Sequence, residues 1–187
     1  IVQMSGIHAA PDAPTAYLRA KGRAEEAVRE ADPEHVILRP TTAFGDGDEL
    51  VPFVKLVAPP YLTPLPGGGK TRFQLIWVDD LAVITADAVE GEEHAGETYE
   101  IGGPDVLTLA DIARMVHAAD GRSAGVVPIP MFVAGLGMRI GGLIPGFPLG
   151  PNQYEGLKMD LVARDDLDAF DVDPDELRTF ADYLGVG

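Results

Sequence analysis

Apolar and polar positions alternate in blocks that read strand, loop, helix, strand. Val2-Gln3-Met4 ends an apolar run at Ser5 as the C-terminal end of a strand does, and residues 6–14 are loop-like. Residues 16–30 are rich in Ala, Arg and Glu, which favour helix. Pro14 and Thr15 open that helix, and Ala31-Asp32-Pro33 breaks it. Residues 36–39 form the next strand. Pro40-Thr41-Thr42 then leaves the sheet, because proline lacks the N–H that a ladder needs. Strand, helix and parallel strand make a βαβ unit, and such sheets carry their ligands at the C-terminal ends of the strands.

The pattern downstream is mixed. Residues 49–57 predict a short helix ended by Pro59-Pro60. Residues 64–71 end like a phosphate-binding loop, but Pro64 stands where that motif needs glycine, so they read as a loop without triphosphatase chemistry. Residues 72–78 predict a strand, with Asp79 or Asp80 capping a helix to about Val89. Residues 98–101 predict another strand, and Thr108 with Asp111 is a capping box that opens a helix to Ala119. Residues 126–130 read as extended and 152–158 as a short helix. A last helix is expected from Asp173-Pro174 to Leu184, with Leu177, Phe180, Ala181 and Leu184 at helical spacing.

Residues 129–150 are the least polar of the chain, interrupted by Arg139 alone. Their length approaches a membrane span, but Arg139 sits centrally, and Gly141-Gly142, Pro145 and Pro148 break the helix. Two readings stay open. The segment closes a second domain, or residues 130–148 make a peripheral contact with a membrane or an apolar partner. The spacing of Gly137 and Gly141 fits either.

Composition narrows the function classes. The 187 residues carry a net charge of −16, from thirty acids against fourteen Lys and Arg. That excess disfavours nucleic acid and anionic membrane as partners. The acids are spread along the chain, as in Glu25-Glu26 and Asp46 to Asp48, which suggests an acidic surface suited to a salty, halophilic cytoplasm. With no cysteine, disulfides and thiolate chemistry are excluded. The four histidines show no ligand spacing, so no metal site is expected.

The candidate chemistry lies in the first helix. Tyr17 and Lys21 are four residues apart and share a face, so phenol and ammonium can reach one point. A neighbouring cation stabilises a phenolate, which makes a tyrosine usable as an acid or base near neutrality. Ser5, twelve residues upstream, could hold a substrate oxygen against the phenol. His8, in the loop bordering this point, is a substrate-side candidate.

Ser5, the Tyr17/Lys21 pair, Leu38-Arg39-Pro40-Thr41-Thr42-Ala43-Phe44-Gly45, Trp77-Val78-Asp79-Asp80-Leu81-Ala82 and Glu97-Thr98-Tyr99-Glu100-Ile101-Gly102-Gly103 follow one another in a telling order. The order resembles extended and atypical short-chain dehydrogenases/reductases, in the branch similar to the nucleotide-binding accessory subunit of respiratory complex I, also labelled epimerase-like. The resemblance implies an α/β fold: the distal strands of a Rossmann-like doubly wound parallel sheet plus a small, mostly helical substrate domain. Residues 1–45 with 72–103 would form the first, and 46–71 with 104–187 the second. The Gly-rich turn for the cofactor pyrophosphate is not found, so the chain reads as the C-terminal part of a longer protein.

In the full-length parent the resemblance implies NAD or NADP and a small-molecule carbonyl or hydroxyl substrate. Tyr17 would be the general acid/base, Lys21 would hold the nicotinamide ribose, and Ser5 would orient the reacting oxygen. Pro40, Thr41 and Thr42 would line the nicotinamide end, and Gln74 would touch substrate. The alternative is a non-catalytic nucleotide-binding subunit of an NADH dehydrogenase machinery, cytoplasmic or membrane-associated, touching a respiratory complex through 130–148.

Overall fold

The computed structural model describes residues 1–141, 151–164 and 166–187, without the side chains of 151–153. Residues 142–150 of the apolar segment, and with them 142–148 of the expected peripheral contact, therefore lie outside the described residues. In chain order the elements are β1 (Val2–Met4), α1 (Ala16–Ala31), β2 (Val36–Pro40), β3 (Ala43–Phe44), α2 (Leu50–Val57), β4 (Thr63–Pro66), β5 (Arg72–Gln74), β6 (Ile76–Trp77) and α3 (Val78–Glu90). There follow β7 (Thr98–Ile101), β8 (Val106–Thr108), α4 (Leu109–Ala119), β9 (Val126–Ile129), α5 (Met131–Gly141), α6 (Pro151–Gly156) and α7 (Phe180–Leu184). The chain divides into two compact units. The first comprises Ile1–Asp46, Gln74–Val106 and Leu161–Phe180, the second Gly47–Phe73, Leu107–Asp160 and Ala181–Gly187.

The first unit is built on a parallel sheet of order β1-β2-β7. Val2 is in register with Val36 and Met4 with Leu38, while Ile37 faces Thr98 and Pro40 faces Ile101. Val36, Ile37 and Leu38 are all buried, as a central strand covered on both faces requires. Ile76, Leu81, Ile84, Ala88 and Ile101 join Val36 and Leu38 in the core, and Leu167, Phe170 and Leu177 complete it. The 161–180 segment therefore contributes to the core of the first unit. Helix α1 starts where Thr15 accepts the Leu18 amide at 3.2 Å, the expected cap.

Two expectations are corrected. Residues 72–78 do not make one strand: β5 and β6 are separate, and α3 already begins at Val78. Its N-cap is Trp77, not an aspartate, and Asp79 and Asp80 sit in the first turn, where acids favour the helix dipole. Asp80 instead accepts the Arg178 amide at 2.9 Å. The last helix is also interrupted. Asp173 caps a single tight turn (Pro174–Glu176), Leu177 is extended, and α7 begins only at Phe180. Burial of Leu177 and Phe180 competes there with helix continuity.

In the second unit β4 pairs in parallel with β9, from Thr63 with Val126 to Pro66 with Ile129. Gly67, Gly68 and Gly69 then turn in the left-handed region at φ of 59°, 72° and 68°, which side chains avoid. A Cβ on Gly69 would stand 2.9 Å from the Ala110 amide. The capping box on α4 forms as its spacing predicts, Thr108 and Asp111 bonding reciprocally. Among the described residues no helix is long and apolar enough to cross a membrane.

Candidate functional site

The site is organised by a stride of four along α1: Tyr17, Lys21, Glu25 and Arg29 fall on one face, turned toward the C-terminal end of β1. Gly22 allows the close packing on the neighbouring flank, since a Cβ there would lie 2.2 Å from the Ala10 carbonyl carbon. The Lys21 ammonium donates to the Met4 carbonyl at 2.9 Å and lies 5.7 Å from the Tyr17 ring centroid, within cation–π range. Tyr17 is 62% exposed. Its hydroxyl stands 3.9 Å from the place a Cβ would take on Gly6.

Ser5 follows β1, its amide bonded to Leu38 O at 2.7 Å. Its hydroxyl donates to Glu25 Oε1 at 2.5 Å. Glu25 is 1% exposed, and four donors surround it. Arg39 forks onto it through Nε at 2.9 Å and Nη2 at 2.7 Å, and Arg29 Nη2 adds a bond at 3.0 Å. Burial alone would push this carboxyl up. The bonds from Arg39, Ser5 and Arg29 together outweigh it and hold the group below the usual glutamate value. The same bond raises the Arg39 guanidinium, with Glu100 as a further, more distant anion at 3.9 Å.

The remaining candidates sit around the ends of β2. Pro40 O accepts the Ile7 amide at 3.2 Å, the Thr41 amide bonds to Ile101 O at 2.9 Å, and Thr42 O accepts the Ile76 amide at 3.1 Å. The Thr41 hydroxyl donates to Gln74 O. Gln74 uses both ends of its amide on backbone, Nε2 to Gly103 O at 2.8 Å and Oε1 from the Ala163 amide at 3.0 Å. Gly102 makes room for it, a Cβ there falling 2.4 Å from the Gln74 amide carbon. His8 is exposed in the loop after β1, at a left-handed φ of 61°.

The structure thus brings Tyr17 and Lys21 together and places Ser5 beside Glu25. Glu25, Arg29 and Arg39 are absent from the sequence reading of the site, where Glu25 counts as a surface acid. The signal was available: Glu25 and Arg29 continue the Tyr17–Lys21 spacing by two further steps. Among the described residues, Lys21 spends one ammonium proton on Met4 O, which leaves donors for a vicinal diol such as a ribose. An exposed phenol and a cation with donors to spare thus meet at the C-terminal end of a parallel strand.

The fold is α/β and Rossmann-like, as its likeness to solved structures shows. An NADPH-dependent quinone oxidoreductase from Escherichia coli, complexed with NADPH, superposes with TM-score 0.71 at 17% identity, over 99% of this chain and 64% of that one. A nucleoside-diphosphate-sugar epimerase from Staphylococcus aureus gives 0.66 at 16%, over 98% and 62%. No family model matches the sequence. Among particular proteins, the chain is 40% identical over 118 residues to the mitochondrial NADH dehydrogenase [ubiquinone] 1 alpha subcomplex subunit 9 of Arabidopsis thaliana, covering 62% of this chain and 29% of that subunit. It is 28% identical to the NAD(P)H azoreductase of Xenophilus azovorans over 70% of this chain and 44% of that protein. The chain spans less than half the length of these curated relatives. The resemblance to the short-chain dehydrogenase/reductase branch that includes the complex I accessory subunit is borne out, as is the α/β, Rossmann-like fold class.

Proposed function

We propose that the chain is the C-terminal part of an NAD(P)-binding short-chain dehydrogenase/reductase-like protein with oxidoreductase or epimerase-type chemistry on a carbonyl or hydroxyl substrate. One observation carries the reading: an exposed phenol and an ammonium with donors to spare meet at the end of β1. Tyr17 exchanges a proton with the substrate oxygen. Lys21 holds the nicotinamide ribose hydroxyls. Pro40, Thr41 and Thr42 border the nicotinamide end through backbone, since the Thr41 hydroxyl is engaged with Gln74. His8 lies on the substrate side of the loop, and Gln74 acts by bracing Gly103 and Ala163 around it. Bound NAD(P) supplies hydride exchange.

The test is fluorescence titration of the full-length protein with NADH and NADPH, followed by turnover on quinone, azo and sugar-nucleotide substrates. Binding in the micromolar range, with Tyr17→Phe lowering turnover about a hundredfold or more, supports the reading. Absence of binding to either dinucleotide removes it.

A second reading is a non-catalytic nucleotide-binding subunit of an NADH dehydrogenase machinery, the enzyme whose alpha subcomplex one relative is named for. Helix α5 favours it. Phe132, Val133, Leu136 and Ile140 are 76, 46, 62 and 58% exposed on a helix without an acid, in a chain of net charge −16. In this reading α5 docks on the apolar face of a protein partner in a respiratory assembly. Leu136→Glu with Ile140→Glu should then release the protein from that assembly on gel filtration. Flotation with vesicles instead would assign the face to lipid.

A further inference from the structure

Ser5 and Gly6 follow one another at the end of β1, and they differ in what they offer a ligand beside Tyr17. Ser5 has a hydroxyl, but that hydroxyl is 3% exposed with its residue and lies 2.5 Å from Glu25 Oε1. Glu25 is bracketed by Arg39 and Arg29, so it is an ionised acceptor without a proton of its own. A serine has one proton to donate, and here it points at the carboxylate. Gly6 offers the opposite. Outside its chain neighbours, the phenol oxygen at 3.9 Å is the one described heavy atom that a Cβ there would meet within 4 Å.

We propose that position 6, not position 5, decides what the Tyr17 phenol touches: glycine there leaves the space beside the hydroxyl to a ligand oxygen, while the Ser5 hydroxyl is committed to Glu25. Glu25 is thereby a positioning residue, turning Ser5 away from the ligand and pinning the end of β1 to α1. The group that fits the space is a compact hydroxyl or carbonyl oxygen contacted by one phenol, rather than an oxygen gripped between two hydroxyl donors. The inference rests on the reading of Tyr17 and Lys21 as a ligand-holding pair.

Double-variant cycles in urea test the commitment of Ser5. Ser5→Ala and Glu25→Gln should be non-additive by about tenfold or more in the unfolding constant, whereas Ser5→Ala and Tyr17→Phe should add within about twofold. Labelling tyrosine at 13Cζ gives a readout that loss of stability does not move. The Tyr17 resonance, assigned by its disappearance in Tyr17→Phe, should stay in place in Ser5→Ala and shift in Gly6→Ser. Coupling of Ser5 to Tyr17 as strong as to Glu25, or a Tyr17 resonance that answers to Ser5→Ala, overturns the inference. Where Ser5→Ala does not fold, Gly6→Ser and Gly6→Ala decide: a hydroxyl at position 6 should move the resonance further than a methyl, and equal shifts overturn it. These outcomes need no cofactor, so they report on this inference separately from dinucleotide binding, whose failure would strike the earlier reading on which it rests.

Discussion

The two ends of one helical face follow opposite rules. At Tyr17 and Lys21 the side chains reach solvent and the ammonium makes one hydrogen bond to protein among the described residues. Two turns on, Glu25 is sealed from water with every acceptor site filled. A buried charge is tolerated when its partners surround it, and removing it strands them. An exposed polar pair has partners still to find. Spare hydrogen-bonding capacity at the first end is what the proposed function assigns to a ligand, and saturation at the second marks what holds the frame.

The comparison is broken most severely at the saturated end. Glu25→Ala should cost about 3 kcal/mol or more in urea unfolding, because Arg39 and Arg29 are left facing each other without their shared anion. Acid should erase the same contribution. The Glu25 carboxyl is held below its unfolded value, so its stabilisation is complete above the ordinary glutamate range near about 4.3 and is lost as pH falls through the lower folded value. The gap in stability between wild type and Glu25→Gln should therefore be widest near neutrality and narrow as pH falls below the ordinary glutamate range; a gap that stays constant would falsify the assignment of charge. A middle effect is expected at Gly22→Ala, about 1–3 kcal/mol, since the new methyl meets the Ala10 and Pro11 backbone rather than a yielding side chain. The smallest belongs to the open end. Tyr17→Phe should change stability by about 0.5 kcal/mol or less, and its effect should appear in turnover alone.

Much of the fold was legible because its signals are local. The Ala/Arg/Glu run sets α1 within a residue of its observed end, the apolar triplet Val36-Ile37-Leu38 sets β2, and Thr108 with Asp111 sets the start of α4. The Tyr17–Lys21 encounter was equally legible, since four residues on a helix make neighbours. What was hidden depends on the long-range chain path. The four-residue spacing puts Glu25 rather than Glu26 on the Tyr17 face, but nothing local shows that it is buried and saturated until β1 and β2 bring Ser5 and Arg39 against it. The break between β5 and β6 arises where Gln74 turns to bond Gly103 and Ala163, and the interruption before α7 arises where Leu177 enters the core.

The order of strands in the first unit has a consequence for the chain as it is made. Strand β2 sits between β1 and β7, yet β7 follows it by about sixty residues, and the apolar cover from Leu167 to Leu177 comes later still. At ordinary rates of synthesis, one edge of Val36-Ile37-Leu38 stays unclaimed for several seconds, at roughly 5–20 residues per second. A nascent chain of this topology keeps an apolar strand edge open to wrong partners until its late-arriving neighbour is made.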